Sequence, residues 1–156
     1  MVTLIPMNEQ EYEIFVARSI VDYADDKVKA GTWASDEAQQ LSVDSFKRLL
    51  PEGRNTPTEY LYSVVDTSKN TNVGALWIHI SEGPLGRSAF IYDILVYESF
   101  QGQGYGTLTM SVLDEEARKL QVDRISLHVF GHNKIAFALY QKMGYEITDI
   151  SMTKML

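Results

Sequence analysis

Apolar residues in the first third of the chain recur at helical spacing, and this pattern predicts two consecutive helices. The apolar face of the first helix consists of Tyr12, Phe15, Val16, Ile20 and Tyr23. Asn8, with Glu11 three residues later, is typical of an N-cap, and the helix is expected to end near Gly31. Ser35 opens a second amphipathic stretch, which Pro51-Glu52-Gly53 ends.

Shorter runs of large apolar residues predict a sheet. The predicted strands span residues 2–6, 60–66, 73–80 and 88–97. A polar run over 67–72 and the turn at 83–86 join the last three of them, so these three strands are expected to be antiparallel.

The remaining pattern predicts a helical crossover and a mixed sheet. Leu108, Val112, Ala117 and Leu120 form one face of a third helix. The strand predicted at 124–130 follows this helix, so it should run parallel to 88–97. Residues 133–143 read as a fourth helix, and 145–156 as one last strand or two short ones. These elements predict a single α/β domain over residues 1–156, with a mixed sheet of six to seven strands flanked by four helices.

Composition narrows the classes of function. Apolar residues make up 45 % and charged residues 22 %, as in an ordinary globular domain, and the net charge is −7. The chain lacks a basic cluster, so we expect no nucleic-acid partner; the acidic surface favours amines only weakly, and its simplest role is solubility. The absence of cysteine excludes disulfides and an acyl-enzyme on a thiol. Without a signal peptide or long apolar run, a cytoplasmic location and no membrane partner are expected.

A glycine-rich loop after the strand at 88–97 predicts an anion site. Gly102, Gly104 and Gly106 alternate where a strand gives way to a helix, so backbone N–H groups can converge on a phosphate. A Walker loop is excluded because no Gly-Lys-Ser/Thr follows. A dinucleotide fingerprint fails on the glycine spacing and on the position of Asp123.

Two motifs fit another class. They are Gln101-x-x-Gly104-x-Gly106 and Asn133-x-x-Ala136-x-x-x-Tyr140-x-x-x-Gly144-Tyr145. With them the chain resembles the GCN5-related N-acetyltransferase superfamily over residues 60–145, in a less familiar bacterial subgroup. The resemblance implies acetyl-CoA as co-substrate, no metal, and the acetyltransferase fold.

The same resemblance assigns a coenzyme A loop. Backbone N–H groups of Gln101, Gly102, Gln103, Gly104, Tyr105, Gly106 and Thr107 would bind the pyrophosphate. Gln101 and Gln103 stand where basic residues are frequent in the family, which implies either a modest affinity for the cofactor or a basic residue elsewhere for the 3′-phosphate. Lys134 and Lys142 are candidates, although their residue type alone favours solvated surface lysines.

Residues around the thioester also follow from the resemblance. Asn133 and Tyr140 share a helix face about 10 Å apart along the axis. Asn133 would bond the pantetheine arm, and Tyr140 would protonate the departing thiolate. A backbone N–H near Leu95 or Val96 would meet the oxyanion.

Two residues are candidates for the general base. Asp93 is the one acid within the central strand, on the face of Leu95 and Tyr97 and opposite Tyr92. His128 occupies the neighbouring predicted strand, where the family often has Glu. Either side chain reads also as a structural group.

Other histidines and aromatic residues add little. His79, His128 and His132 follow no zinc-ligand spacing. Trp77 and Tyr92 read as core residues, whereas Trp33 lies in a loop that lines the acceptor site in the family. The sequence thus predicts direct acetyl transfer to a primary amine of a small molecule or peptide by a monomer or homodimer. A non-catalytic coenzyme A-binding sensor is the alternative.

Overall fold

A computed structural model describes all 156 residues as five strands and four α-helices. The strands are β1 (Val2–Pro6), β2 (Glu59–Asp66), β3 (Thr71–Gly83), β4 (Gly86–Val96) and β5 (Arg124–Leu127). The helices are α1 (Glu9–Lys29), α2 (Ala38–Leu49), α3 (Tyr105–Lys119) and α4 (Lys134–Lys142). None of these helices is long and apolar enough to cross a membrane.

The strands form one mixed sheet in the order β1-β2-β3-β4-β5. Neighbours from β1 to β4 are antiparallel, and β4 pairs with β5 in parallel. The predicted antiparallel strands and the parallel crossover are therefore confirmed. The predicted N-cap of α1 is also confirmed. The Asn8 side chain accepts a hydrogen bond from the Glu11 N–H, and the Glu11 side chain accepts one from the Asn8 N–H, which together form a capping box.

Helices cover both faces of the sheet. On one face, α1 and α2 bury Phe15 and Phe46 against Trp77 of β3. On the other face, α3 buries Met110 and Leu113 against β3 and β4. Helices α1, α2 and α3 thus bury their apolar faces on the sheet, in the layered arrangement that the pattern predicted.

Strand β4 carries an irregularity that positions the site. Its register with β3 shifts at Trp77/Ile78, because Trp77 pairs with Asp93 and Ile78 with Ile91, which leaves Tyr92 as an extra residue. The Tyr92 ring packs 4.5 Å from Trp77, and both Tyr92 and Asp93 line the same cavity. The prediction that Tyr92 faces away from Asp93 was wrong, because the bulge breaks the alternation.

The predicted strand count was also wrong, since the sheet has five strands. β5 ends at Leu127, so His128 lies beyond the strand. After Gly144 turns the chain at φ +94°, Tyr145 N–H bonds to Tyr140 O, and no backbone hydrogen bond follows it. The apolar residues at the end of the chain stay exposed: Ile147, Ile150, Met152, Met155 and Leu156. Alternation made this segment resemble a strand, but it pairs with no neighbouring edge.

Candidate active site

A cavity of about 350 Å³ lies where β4 and β5 separate. Their pairing ends at Ile91 and Leu127, and both chains then diverge. Residues from α1, β3, β4, α4 and the segment after β5 line the space between them. The gap therefore opens between the two faces of the sheet, at the C-terminal ends of the parallel strands. Ligands of open α/β sheets bind at this position.

Asp93 lies on the β4 wall of this cavity. Its Oδ2 accepts a hydrogen bond of 3.1 Å from Ser19 Oγ on α1. Burial raises the pKa of Asp93 to about 6, and the negative charges of Asp22 and Asp26 add to the rise, against the Ser19 bond. The carboxylate is thus ionised at neutral pH but holds a proton more readily than a surface aspartate.

Tyr140 of α4 lines the same cavity. Burial, with a smaller contribution from the charge of Asp93, raises the pKa of Tyr140 to about 12. The hydroxyl therefore keeps its proton throughout the neutral range. A proton donor and a proton acceptor thus line one cavity, although they are separated by 47 residues in sequence.

His128 and Asn133 also line the cavity. The His128 ring packs 5.0 Å from the ring of Phe130, edge to face. Asn133 is the N-cap of α4, and its Oδ1 accepts from the Ala136 N–H at 3.4 Å. The cap fixes the Asn133 side chain at the edge of the cavity. All three predicted catalytic side chains and Asn133 are therefore brought together.

The glycine loop leads directly into α3 and leaves its first amides free. Gly102 and Gly104 adopt φ of +75° and +85°, and Gly104 is the N-cap without a side-chain cap. No backbone carbonyl or side chain accepts from the N–H groups of residues 102–107. A Cβ at either glycine would meet no protein atom, so the space in front of these donors is open. Free N–H groups at a helix N-terminus suit a phosphate.

Side chains of the loop brace it. Gln101 Nε2 donates to Val96 O at 3.0 Å, and Gln103 Nε2 donates to Ser99 O at 3.3 Å. The Gln101 N–H is itself occupied by Glu98 O, so the free amides begin at residue 102. Both glutamines thus hold the loop against the end of β4 and the short turn that follows it.

Helix α4 packs beside the loop. A Cβ at Gly106 would lie 3.1 Å from Leu139 Cδ2, so glycine there lets α4 approach closely. Lys142 Nζ lies 3.5 Å from Thr107 Oγ1. Of the two lysine candidates, Lys142 is therefore beside the loop, whereas Lys134 is exposed and has no ion pair.

Backbone direction distinguishes Leu95 from Val96. Tyr97 N–H donates to Val73 O of β3, and successive N–H groups of a strand point to opposite sides. Leu95 N–H therefore points toward β3, and Val96 N–H points toward the gap. Gly74 permits this close pairing, since a Cβ there would lie 2.1 Å from Leu95 O.

Aromatic residues that the sequence assigned to the core form a wall of the cavity. Trp77 and Tyr92 line it, while Trp33 lies outside and packs on Tyr23 at 5.4 Å. The Trp77 indole N–H donates to Glu59 Oε1 at 3.0 Å, and Glu59 also pairs with His79. The Glu59 side chain is 3 % exposed. No local sequence signal marks this carboxylate, because its partners come from another strand.

Acids and histidines do not cluster elsewhere. No group of three or more His, Cys, Asp or Glu side chains is placed to hold a metal ion.

Free amides that suit a phosphate, together with a cavity that contains a protonated tyrosine and a buried carboxylate, suit a group-transfer enzyme. The chain belongs more narrowly to the acetyltransferase (GNAT) family, whose model matches residues 21–145. It is an N-acetyltransferase, as are its relatives in name.

Two relatives come from Bacillus subtilis. YycN, called an uncharacterized N-acetyltransferase, is 41 % identical over 155 residues, which are 99 % of each chain. YdgE, with the same description, is 38 % identical over 154 residues, 99 % of this chain and 98 % of YdgE. The crystal structure of YycN superposes with a TM-score of 0.95 over 100 % of this chain and 99 % of YycN.

A more distant structure shares the fold. A protein of Clostridium acetobutylicum described as a predicted acetyltransferase, solved with acetyl-CoA, has a TM-score of 0.61 at 17 % identity. The match covers 99 % of this chain and 96 % of that one.

Proposed function

We propose that this protein transfers the acetyl group of acetyl-CoA directly to a primary amine of a small molecule or peptide. The observation that carries the proposal is the position of Asp93 and Tyr140 in one cavity, at the strand gap beside free helix N-terminal amides. The family match supports acetyl-CoA as the donor.

The chain offers a distinct binding role to each part of that donor. Amides of residues 102–107 would bind the pyrophosphate, and Lys142, beside Thr107, would bind a further phosphate. The free Nδ2 of Asn133 would bond the pantetheine arm. Several N–H groups must act together, since one helix end contributes only about 0.3–1 kcal/mol for an exposed anion.

The side chains in the cavity would then move two protons. The amine nitrogen uses its lone pair to form the C–N bond, and Asp93 accepts the proton that nitrogen loses. The C–S bond breaks, its electron pair goes to sulfur, and the Tyr140 hydroxyl supplies the proton for the free thiol. Val96 N–H, which points into the gap, would stabilise the negative charge on the carbonyl oxygen. His128 is the alternative base.

A non-catalytic coenzyme A sensor is not favoured. Binding alone needs neither a tyrosine that keeps its proton nor a carboxylate with a raised pKa in the same cavity.

The acid role is tested with Tyr140→Phe. We expect kcat for thiol release to fall about 100-fold or more, because the leaving sulfur loses its proton donor, while calorimetry shows nearly unchanged acetyl-CoA affinity. Tyr60→Phe is the matched control, since Tyr60 stacks on Tyr62 away from the cavity. A wild-type kcat for the Tyr140 variant would remove this residue from the mechanism.

A further inference from the structure

The wall that α1 contributes to the cavity is acidic. Asp22, Asp25 and Asp26 line it together with Asp93 of β4, and the one lysine among the lining residues is Lys29. The reacting nitrogen needs only one of these carboxylates. The other three leave a surplus of negative charge inside the acceptor cavity that the proposed reaction does not use.

The carboxylates are spread along one helix face. Ser19 binds Asp93 directly, and Asp22 and Asp26 follow at three and seven residues, which keeps them on the same side of α1. Asp26 therefore lies about 10 Å along the axis from the level of Asp93. A ligand with one nitrogen at Asp93 can extend along α1 and reach a second carboxylate.

The present partners of these acids are weak competitors. Asp22 Oδ2 is 3.7 Å from Arg18 Nε in an exposed pair, and Asp26 Oδ1 is 2.8 Å from His132 Nε2. Exposed pairs of this kind contribute about 0–1 kcal/mol. A histidine also carries a full charge only when it is protonated, so both acids can accept an ammonium group of a ligand.

Aromatic rings line the same cavity as the carboxylates. Tyr23, Trp77, Tyr92 and Phe130 line the cavity, and Tyr92 is 38 % exposed although it is a large ring. Such faces attract cations through their quadrupoles and also pack against methylene groups. A cavity that combines aromatic rings with several carboxylates suits a ligand that has methylene groups and more than one positive charge.

We propose that the acceptor is a diamine or polyamine, which places its reacting primary nitrogen at Asp93 and a second ammonium group at Asp22 and Asp26. This inference rests on the proposed function and names its substrate class. It differs from recognition of amines in general, because the second charge binds at residues that take no part in the transfer.

The test compares amines of equal chain length. Alkyl monoamines and α,ω-diamines of increasing length are assayed by acetyl-CoA-dependent thiol release. We expect kcat/KM to be at least about tenfold higher for the diamine, and the advantage to shrink at high salt, which screens exposed charges. The chain length with the largest advantage should match nitrogens separated by up to about 10 Å.

Single substitutions locate the second charge. In Asp26→Asn and Asp22→Asn the ratio of diamine to monoamine kcat/KM should fall several-fold, with the monoamine as the reference within each variant. Asp36→Asn is the control, since Asp36 is exposed in the loop before α2 and does not line the cavity.

The outcomes separate the two proposals. Equal kcat/KM for monoamines and diamines, or a ratio that neither substitution changes, overturns the polyamine inference and leaves acetyl transfer in place. No thiol release with any amine overturns the proposed function itself.

Discussion

Asp93 illustrates at the scale of one residue how a functional position opposes stability. Burial raises its pKa from 3.8 to about 6, which means that folding penalises the charged carboxylate. The contribution of Asp93 to stability is therefore most favourable where the group is protonated in both states, below about pH 4, and becomes less favourable as pH rises toward 6. Under the proposed function, the same shift would let Asp93 accept and hold a proton near neutral pH.

Asp93→Asn should therefore separate activity from stability. At pH 8 we expect the free energy of unfolding of the variant, measured by denaturant titration, to exceed that of the wild type by about 1–3 kcal/mol. The difference should vanish near pH 4. Its kcat should fall at least about tenfold. In the wild type kcat/KM should fall below about pH 6, and a limb that persists in the variant would assign the base to His128.

Gly104→Val tests the loop. A side chain at φ +85° is strained and would fill the open space in front of the free amides, so calorimetry should show loss of acetyl-CoA binding. Gly83→Val is the control, because Gly83 has open space and an ordinary φ. Wild-type affinity in the Gly104 variant would move the phosphate site elsewhere.

Which site residues the sequence could indicate depended on how local their signals are. The glycines and Tyr140 stand in motifs of fixed spacing, so a single sequence pointed to them. Asp26 and Glu59 gave no signal, because a carboxylate on a helix or strand is usually solvated. Only the packing of the elements brings Asp26 of α1 to the cavity and places Glu59 of β2 against the Trp77 indole of its wall.

At the scale of elements, a buried hydrogen bond ties the start of α3 to the end of β2. Tyr105, the first residue of the helix, donates its hydroxyl to Asp66 Oδ2 at 2.5 Å, at the end of β2. Ser68 and Tyr105 together lower the pKa of Asp66, and the bond to Asp66 raises that of Tyr105. The loop amides are therefore positioned by a link between the helix and the far strand.

Tyr105→Phe should lower the thermal midpoint at pH 7, because Asp66 loses a donor in a buried site. Asp66 has a lowered folded pKa, so its contribution is present above about pH 4 and is lost as pH falls further. The difference between variant and wild type should thus narrow at low pH. Tyr12→Phe is the control, as its hydroxyl makes no hydrogen bond; equal midpoints for all three proteins would contradict the assignment.

Elements were predictable where their cause is local. The capping box at Asn8 lies within four residues, and it fixed the start of α1. The segment after Tyr145 alternates like a strand, yet pairing depends on an edge that the sequence does not reveal. The bulge at Tyr92 was equally hidden, because it exists only in the register between β3 and β4.

For the whole molecule, we expect protection of backbone amides from hydrogen exchange to be highest in the central strands of the sheet. Val73 to Ile78 of β3 lie between two helical layers and include several fully buried residues, whereas residues 146–156 make no backbone hydrogen bond. Hydrogen exchange followed by mass spectrometry should show the slowest amides in β3 and the fastest after Tyr145. Slow exchange over 146–156 would mean that this segment is paired in solution.

The separation of β4 from β5 also affects how the two substrates reach the active site. Helix α1 borders the cavity on one layer, and α3 with its glycine loop lies on the other. Under the proposed function, the amine and the nucleotide approach through different openings and meet only in the gap. Neither partner has to leave before the other can arrive, so the architecture itself imposes no obligatory order of binding or release.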